Sequence, residues 1–186
     1  VTPKPGFIAR SIWSAKSDKG QRSRHGSGGL PAKWYPTDDG LWIWKGDTSS
    51  DEVNGHMYAV SLFHELAAKG KEKERAAKHT ANIASHIIDN GWVLRDMDGK
   101  PTRWARWDPE YLLRPYGFES RGLNGMEAQT YMQTAYALTG DANPFVRTAG
   151  RFAGGAAGPR AGAAAQAPAL APFHAHTSPG ADLSRH

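Results

Sequence analysis

The chain has no cysteine among its 186 residues, which excludes a disulfide framework, a thiolate-ligated zinc or iron–sulfur site and a thiol nucleophile. No apolar run approaches the roughly eighteen residues of a membrane helix, and no basic-then-apolar start ends in a small-residue cleavage site. Neither a membrane span nor a signal peptide is therefore expected, and because the chain opens on Val1 rather than Met, a processed or trimmed start is. HExxH, a Walker sequence and GxSxG are also missing, so zincin, P-loop and hydrolase-elbow chemistry have no support.

A concentrated positive charge is missing as well, despite a net charge of +5. Residues 1–33 carry seven basic groups and one acid, residues 34–148 thirteen and sixteen, and residues 149–186 three and one. The balances are +6, −3 and +2, so the excess belongs to the flanks. The middle segment, which holds the apolar periodicity, is mildly acidic, and a phosphate-tracking groove is not expected there. Nucleic acid and membrane are excluded as partners on these grounds.

The flanks differ from the middle in composition. Ser14 to Gly29 is rich in Lys, Arg, Ser and Gly, as in a linker or long surface loop. From Ala149 on, 13 Ala, 6 Gly and 4 Pro make up 23 of 38 residues, with no Trp or Tyr. One reading is a disordered, proline-punctuated tail that cannot offset chain entropy. The other is an out-of-frame translation of GC-rich DNA beginning near Pro144 to Arg147. The expected organisation is a basic N-terminal segment with a flexible loop over 1–33, a structured domain over 34–148 and the tail over 149–186.

Within the middle segment the spacing predicts three helices and a hairpin. The first helix, about Asp51 to Ala68, puts Val53, Met57, Val60 and His64 on one stripe. The second, Lys71 to Asp89, is amphipathic and stops at Asn90-Gly91. Gly70 joins the two as an antiparallel helical hairpin. Trp92 to Leu94, a turn at Asp98-Gly99 and a return through Trp104 and Trp107 predict a short β-hairpin inserted between helical units. The third helix, about Leu123 to Leu138, has apolar residues nearly all round and predicts burial on most sides. The fold class expected is all-α, an incomplete α/α toroid of helical hairpins.

Chemistry-bearing residues concentrate in "GLWIWKGDTSSDEVNGH", where Asp47, Asp51, Glu52 and His56 follow Trp42 and Trp44. Asp47 falls on the loop, Asp51 and Glu52 in the first turn of the helix, and His56 four residues beyond Glu52 on the same face. Carboxylates at such a junction can divide general-acid and base or nucleophile roles, as glycosidic cleavage requires. The competing reading is structural, with Ser49 as N-cap and Glu52 completing a capping box. Gly46 and Gly55 are small where backbone or ligand approaches closely. The ligands of a metal site are not supplied by this spacing, and no cofactor is expected.

All seven Trp precede residue 108, and such rings suit stacking on a pyranose face as well as ordinary core packing. Trp42 and Trp44 share one side of an extended run entering the acidic loop. Arg103, Trp104, Arg121 and Asn124 complete the candidate binding set, an arginine fork being matched to a uronate carboxylate.

"WKGDTSSDEVNGH", "DGKPTRWARWDPE" and "RGLNGMEAQTYMQTAYALTGD" together resemble bacterial proteins of the six-hairpin glycosidase-like class, over about residues 34–143. That resemblance implies an α/α toroid, a carbohydrate-related role, an oligosaccharide or polysaccharide substrate and a periplasmic or secreted setting. A full toroid overruns 186 residues, so a fragment is expected. The activity expected is glycoside cleavage by Asp47 or Asp51, with Glu52 supporting and His56 orienting. The alternatives are a uronate lyase or epimerase, with His56 or Tyr111 abstracting a proton beside a carboxylate neutralised by Arg103 or Arg121, and a non-catalytic carbohydrate-binding or scaffold protein.

Overall fold

The structure, a computed structural model, describes residues 1–17 and 33–141. In chain order its elements are β1 (Ser11–Ser14), β2 (Trp34–Pro36), β3 (Trp42–Lys45), α1 (Ser50–Leu66), α2 (Lys71–Asp89), β4 (Val93–Arg95), β5 (Pro101–Arg106), α3 (Pro109–Leu112), a 3₁₀ turn at Phe118–Ser120 and α4 (Arg121–Thr139). The three long helices pack on one another and their boundaries follow local chemistry. Ser49 is extended before α1, and its N–H donates to Glu52 Oε2 at 2.7 Å, the reciprocal half of a capping box. Asn90 ends α2, with its N–H on the His86 carbonyl. Gly140, at φ 70°, closes α4 in the left-handed conformation that glycine adopts without cost.

The core forms where the helices meet the sheets. Val53 and Met57 of α1, Ile83 and Ile87 of α2, and Tyr131 and Met132 of α4 are buried together. Full burial of each large aliphatic chain contributes about 1.5–3 kcal/mol, so this seam is the main source of stability. Leu94 and Ala105 join the same core, and Phe7 and Ile8 reach it from the N-terminal segment. One three-stranded antiparallel sheet runs in the order β1-β3-β2, with Ile12 and Tyr35 opposite Trp44. The Tyr35 and Trp44 rings lie 4.7 Å apart. The second sheet is the β4–β5 hairpin.

These features overturn the all-α toroid expected from the sequence: five strands in two antiparallel sheets accompany four helices, a small mixed α/β domain. The physical reason is strand length. β1, β2 and β3 have three or four residues each, too few to show a period of two, and β1 meets its partner β3 only after a long intervening stretch. The hairpin is placed as expected, but it packs into the core instead of standing out between helical units. α4 also differs, since Leu123 and Met126 are 58% and 63% exposed rather than enclosed. The opening segment, expected to be basic with a flexible loop from Ser14 to Gly29, supplies two core residues ahead of that loop, Phe7 and Ile8. Most of the Ser14 to Gly29 loop, the Pro144 to Arg147 frameshift position and the tail over 149–186 lie outside the described residues.

Candidate functional site

Asp47 sits between β3 and α1 in the left-handed region, at φ 50°, which Asp tolerates better than most side chains. Its carboxylate is buried and held by Arg103, whose N–H donates to Oδ1 at 3.0 Å and whose Nε donates to Oδ2 at 2.6 Å. The Asp47 N–H donates to Asp96 Oδ2 at 2.8 Å, and Arg10 Nη1 donates to the Asp47 carbonyl at 3.2 Å. Asp47 is thus a joint between the β4–β5 hairpin and the start of α1.

Asp96, not singled out by its sequence context, is the second half of that joint. Fully buried, it also accepts the Met97 N–H at 2.7 Å and pairs with Lys33 Nζ at 3.3 Å. Burial works against the Lys33 ammonium, but the Asp96 and Asp98 carboxylates outweigh it and raise its pKa above the ordinary value. Gly46 is glycine for this reason: a Cβ there would stand 2.6 Å from Asp96 Oδ1. Gly55 has no such constraint, with open space around its Cα.

The two acids of the first turn of α1 behave differently. Glu52 is committed to the cap, taking the Ser49 N–H and hydroxyl on Oε2 with Arg10 Nε 3.7 Å from Oε1. Asp51 is exposed, and its hydrogen bond is a long 3.4 Å contact from the Ser49 hydroxyl. His56 faces elsewhere: its Nδ1 is 3.0 Å from Nε2 of His79 on α2. Both imidazoles have lowered pKa values, through burial first; Glu52 opposes the shift at His56, and His56 adds to it at His79. The pair lines a cavity of about 420 Å³ against Phe7, Ile8, Ile12 and Asn82. The four expected catalytic residues therefore occupy three different surroundings.

A buried polar array lies beside Asp51. Glu127 of α4 accepts the Trp107 Nε1–H at 2.9 Å on one oxygen and Asn54 Nδ2 at 2.7 Å on the other. Asn54 Oδ1 accepts the Tyr131 hydroxyl at 2.6 Å, and that hydroxyl is 3.4 Å from the carbonyl of Ser50, the residue before Asp51. Burial, then the charges of Glu127 and Asp51, push the Tyr131 phenol well above its ordinary pKa. One phenol therefore feels both carboxylates. The signal in the sequence was the stripe Asn124, Glu127, Tyr131, polar residues at helical spacing among small and apolar ones.

The expected sugar-binding residues divide in the same way. Trp44 is buried with its Nε1 unpartnered among the described residues, whereas Trp42, on the same side of β3, is 44% exposed. Trp104 is 54% exposed and Arg103 half-exposed. Arg121 is exposed and lies over the Phe118 ring at 4.2 Å. Asn124 is buried and donates to the Arg106 carbonyl at 2.8 Å. Tyr111 lies under the Arg106 guanidinium, 4.8 Å from its ring centre, at the start of α3, capped by Asp108.

Among the described residues no three His, Asp or Glu side chains gather to hold a metal ion, and no helix is long and apolar enough to cross a membrane. Compared with known proteins, the chain matches no family model, no curated protein and no solved structure.

Proposed function

We propose that the chain acts on a glycan by acid–base cleavage at the N-terminal end of α1, with Asp51 as the proton-transferring carboxylate. The observation that carries this reading is the contrast among the acids: Asp47 and Glu52 are saturated by protein donors, while Asp51 is open to solvent beside the Tyr131–Asn54–Glu127 array. Glycosidic cleavage needs a carboxylate able to reach the leaving oxygen, and exposed Asp51 has that access, whereas Glu127, with Trp107 and Asn54 on its two oxygens, anchors the array. Asn54 and Tyr131 hold the array in place. The sequence resemblance to the six-hairpin glycosidase-like class, carried by motifs and not by the fold, supports the same substrate class.

The saturation of Asp47 and Glu52 favours a second reading, a carbohydrate-binding protein without turnover. The two are separated by release of reducing ends from a panel of oligosaccharides and polysaccharides, using the full chain, Asp51→Asn and Glu127→Gln. Cleavage by the parent that falls at least about 100-fold in Asp51→Asn, the scale of one acid–base group, supports the proposal. Sugar binding without cleavage by any form transfers the site to the second reading, and full activity in Asp51→Asn removes Asp51 from it.

A further inference from the structure

From the geometry of β5 we infer a subsite for an acidic sugar residue, formed by Arg103 and Trp104 beside the α1 N-terminus. The inference rests on the glycan reading above and narrows it to uronate-bearing chains.

Val93 pairs with Arg106 and Arg95 with Pro101, so Leu94 alone stands opposite four residues, Thr102 to Ala105. Such a bulge interrupts the alternation of faces that a regular strand enforces. Thr102 and Ala105 are buried, while Arg103 and Trp104 between them are both exposed. The Ala105 N–H closes the irregularity on Thr102 Oγ1 at 3.3 Å. In a regular strand two neighbours would face opposite ways; here both reach solvent. The Arg103 Cζ stands 5.9 Å from the Trp104 ring centre, within the range of a cation over an aromatic face.

Arg103 is also fixed in orientation. Its N–H and Nε are both spent on the Asp47 carboxylate, which leaves the paired Nη edge without a partner among the described residues. A guanidinium immobilised through Nε and open along its Nη edge is preorganised to take a second carboxylate in bidentate fashion. An exposed indole next to it offers the apolar face of a pyranose a surface to stack on. A sugar whose ring lies on Trp104 and whose C6 carboxylate meets Arg103 uses both at once.

Calorimetry with the full chain tests this, using tetragalacturonate, its methyl ester and neutral cellotetraose. The expected result is that tetragalacturonate binds at least about 10-fold tighter than the other two, with affinity falling as salt rises. Arg103→Lys, which keeps the charge but loses the fork, should remove most of that preference. Trp104→Ala, a surface change that leaves Asp47 untouched, should weaken all three ligands. Equal binding of acidic and neutral sugars, or acidic binding indifferent to both variants, overturns the inference while leaving the glycan reading in place. Binding of none of the three overturns it too, and cleavage of other glycans then decides the broader reading separately.

Discussion

Replacing Asp47 should cost stability through a set of terms that can be separated. Asp47→Ala removes the acceptor of two Arg103 bonds, one from a charged guanidinium, and leaves the Arg103 N–H without its partner. Bonds to charged groups are worth about 1.5–3 kcal/mol, and the half-exposure of Arg103 puts this one at the low end. Alanine at φ 50° adds about 1 kcal/mol of backbone strain. The sum is about 3 kcal/mol, or a fall in Tm of about 10 °C for a domain of this size. Asp47→Asn keeps the tolerated backbone and one acceptor oxygen and should lose less. Asp47→Gly deletes more atoms than Ala but takes the positive φ freely, so it should melt no lower than Asp47→Ala. Thermal denaturation by circular dichroism ranks the series. Coincidence of Asp47→Ala with the parent would refute the joint, and Asp47→Gly melting well below Asp47→Ala would refute the strain argument.

Glycine replacements should split by what surrounds them. Gly46→Ala forces the Asp96 carboxylate off the Asp47 and Met97 N–H groups that hold it and should cost about 1–3 kcal/mol, read as a lower urea midpoint. Gly55→Ala enters open space inside α1 and should add about 0.5–1 kcal/mol of stability, read as a higher midpoint; a lower midpoint would contradict the open surroundings of Gly55. Acidification is a further test. The folded-state pKa values of His56, His79 and His86 are lowered, chiefly by burial, so the unfolded chain binds more protons just below pH 6.5. Stability should be complete above about pH 6.5 and decline as pH falls toward the lowered values. Urea titrations at pH 7.5 and 5.5 should show the decline, and His79→Gln should reduce it; a midpoint that rises on acidification would reverse the sign of the argument.

The helical part of this fold was legible because its signals are local. Lys71 to Asp89 is bounded as its periodicity and the Asn90-Gly91 stop predict, the Ser49–Glu52 cap follows from spacing alone, and the hairpin turns at Asp98-Gly99. The three-stranded sheet was not legible, since strands as short as Trp34–Pro36 carry no period and β1 meets β3 only across a long intervening stretch. The partners of the site residues were hidden because they lie far along the chain. Asp47 read as a free carboxylate because Arg103 lies 56 residues on, and the Asn54–Glu127 bond spans 73. Asp96 carried no signal of its own, and its role as a buried anchor comes from Asp47, Gly46 and Lys33, all distant in the chain. Trp42 and Trp44 were correctly placed on one side of an extended run, but the overlying Phe7 and Tyr35 rings cover Trp44 alone of the two.

Asp51 is proposed to carry the chemistry, while Asp47 carries structure. Reducing-end release from a cleaved glycan, measured beside the melting temperature for the parent, Asp51→Asn and Asp47→Asn, tests it most directly. Asp51→Asn should melt with the parent and lose turnover, while Asp47→Asn should melt lower and, kept below its transition, still cleave. Turnover unaffected in Asp51→Asn and abolished in a fully folded Asp47→Asn would contradict it.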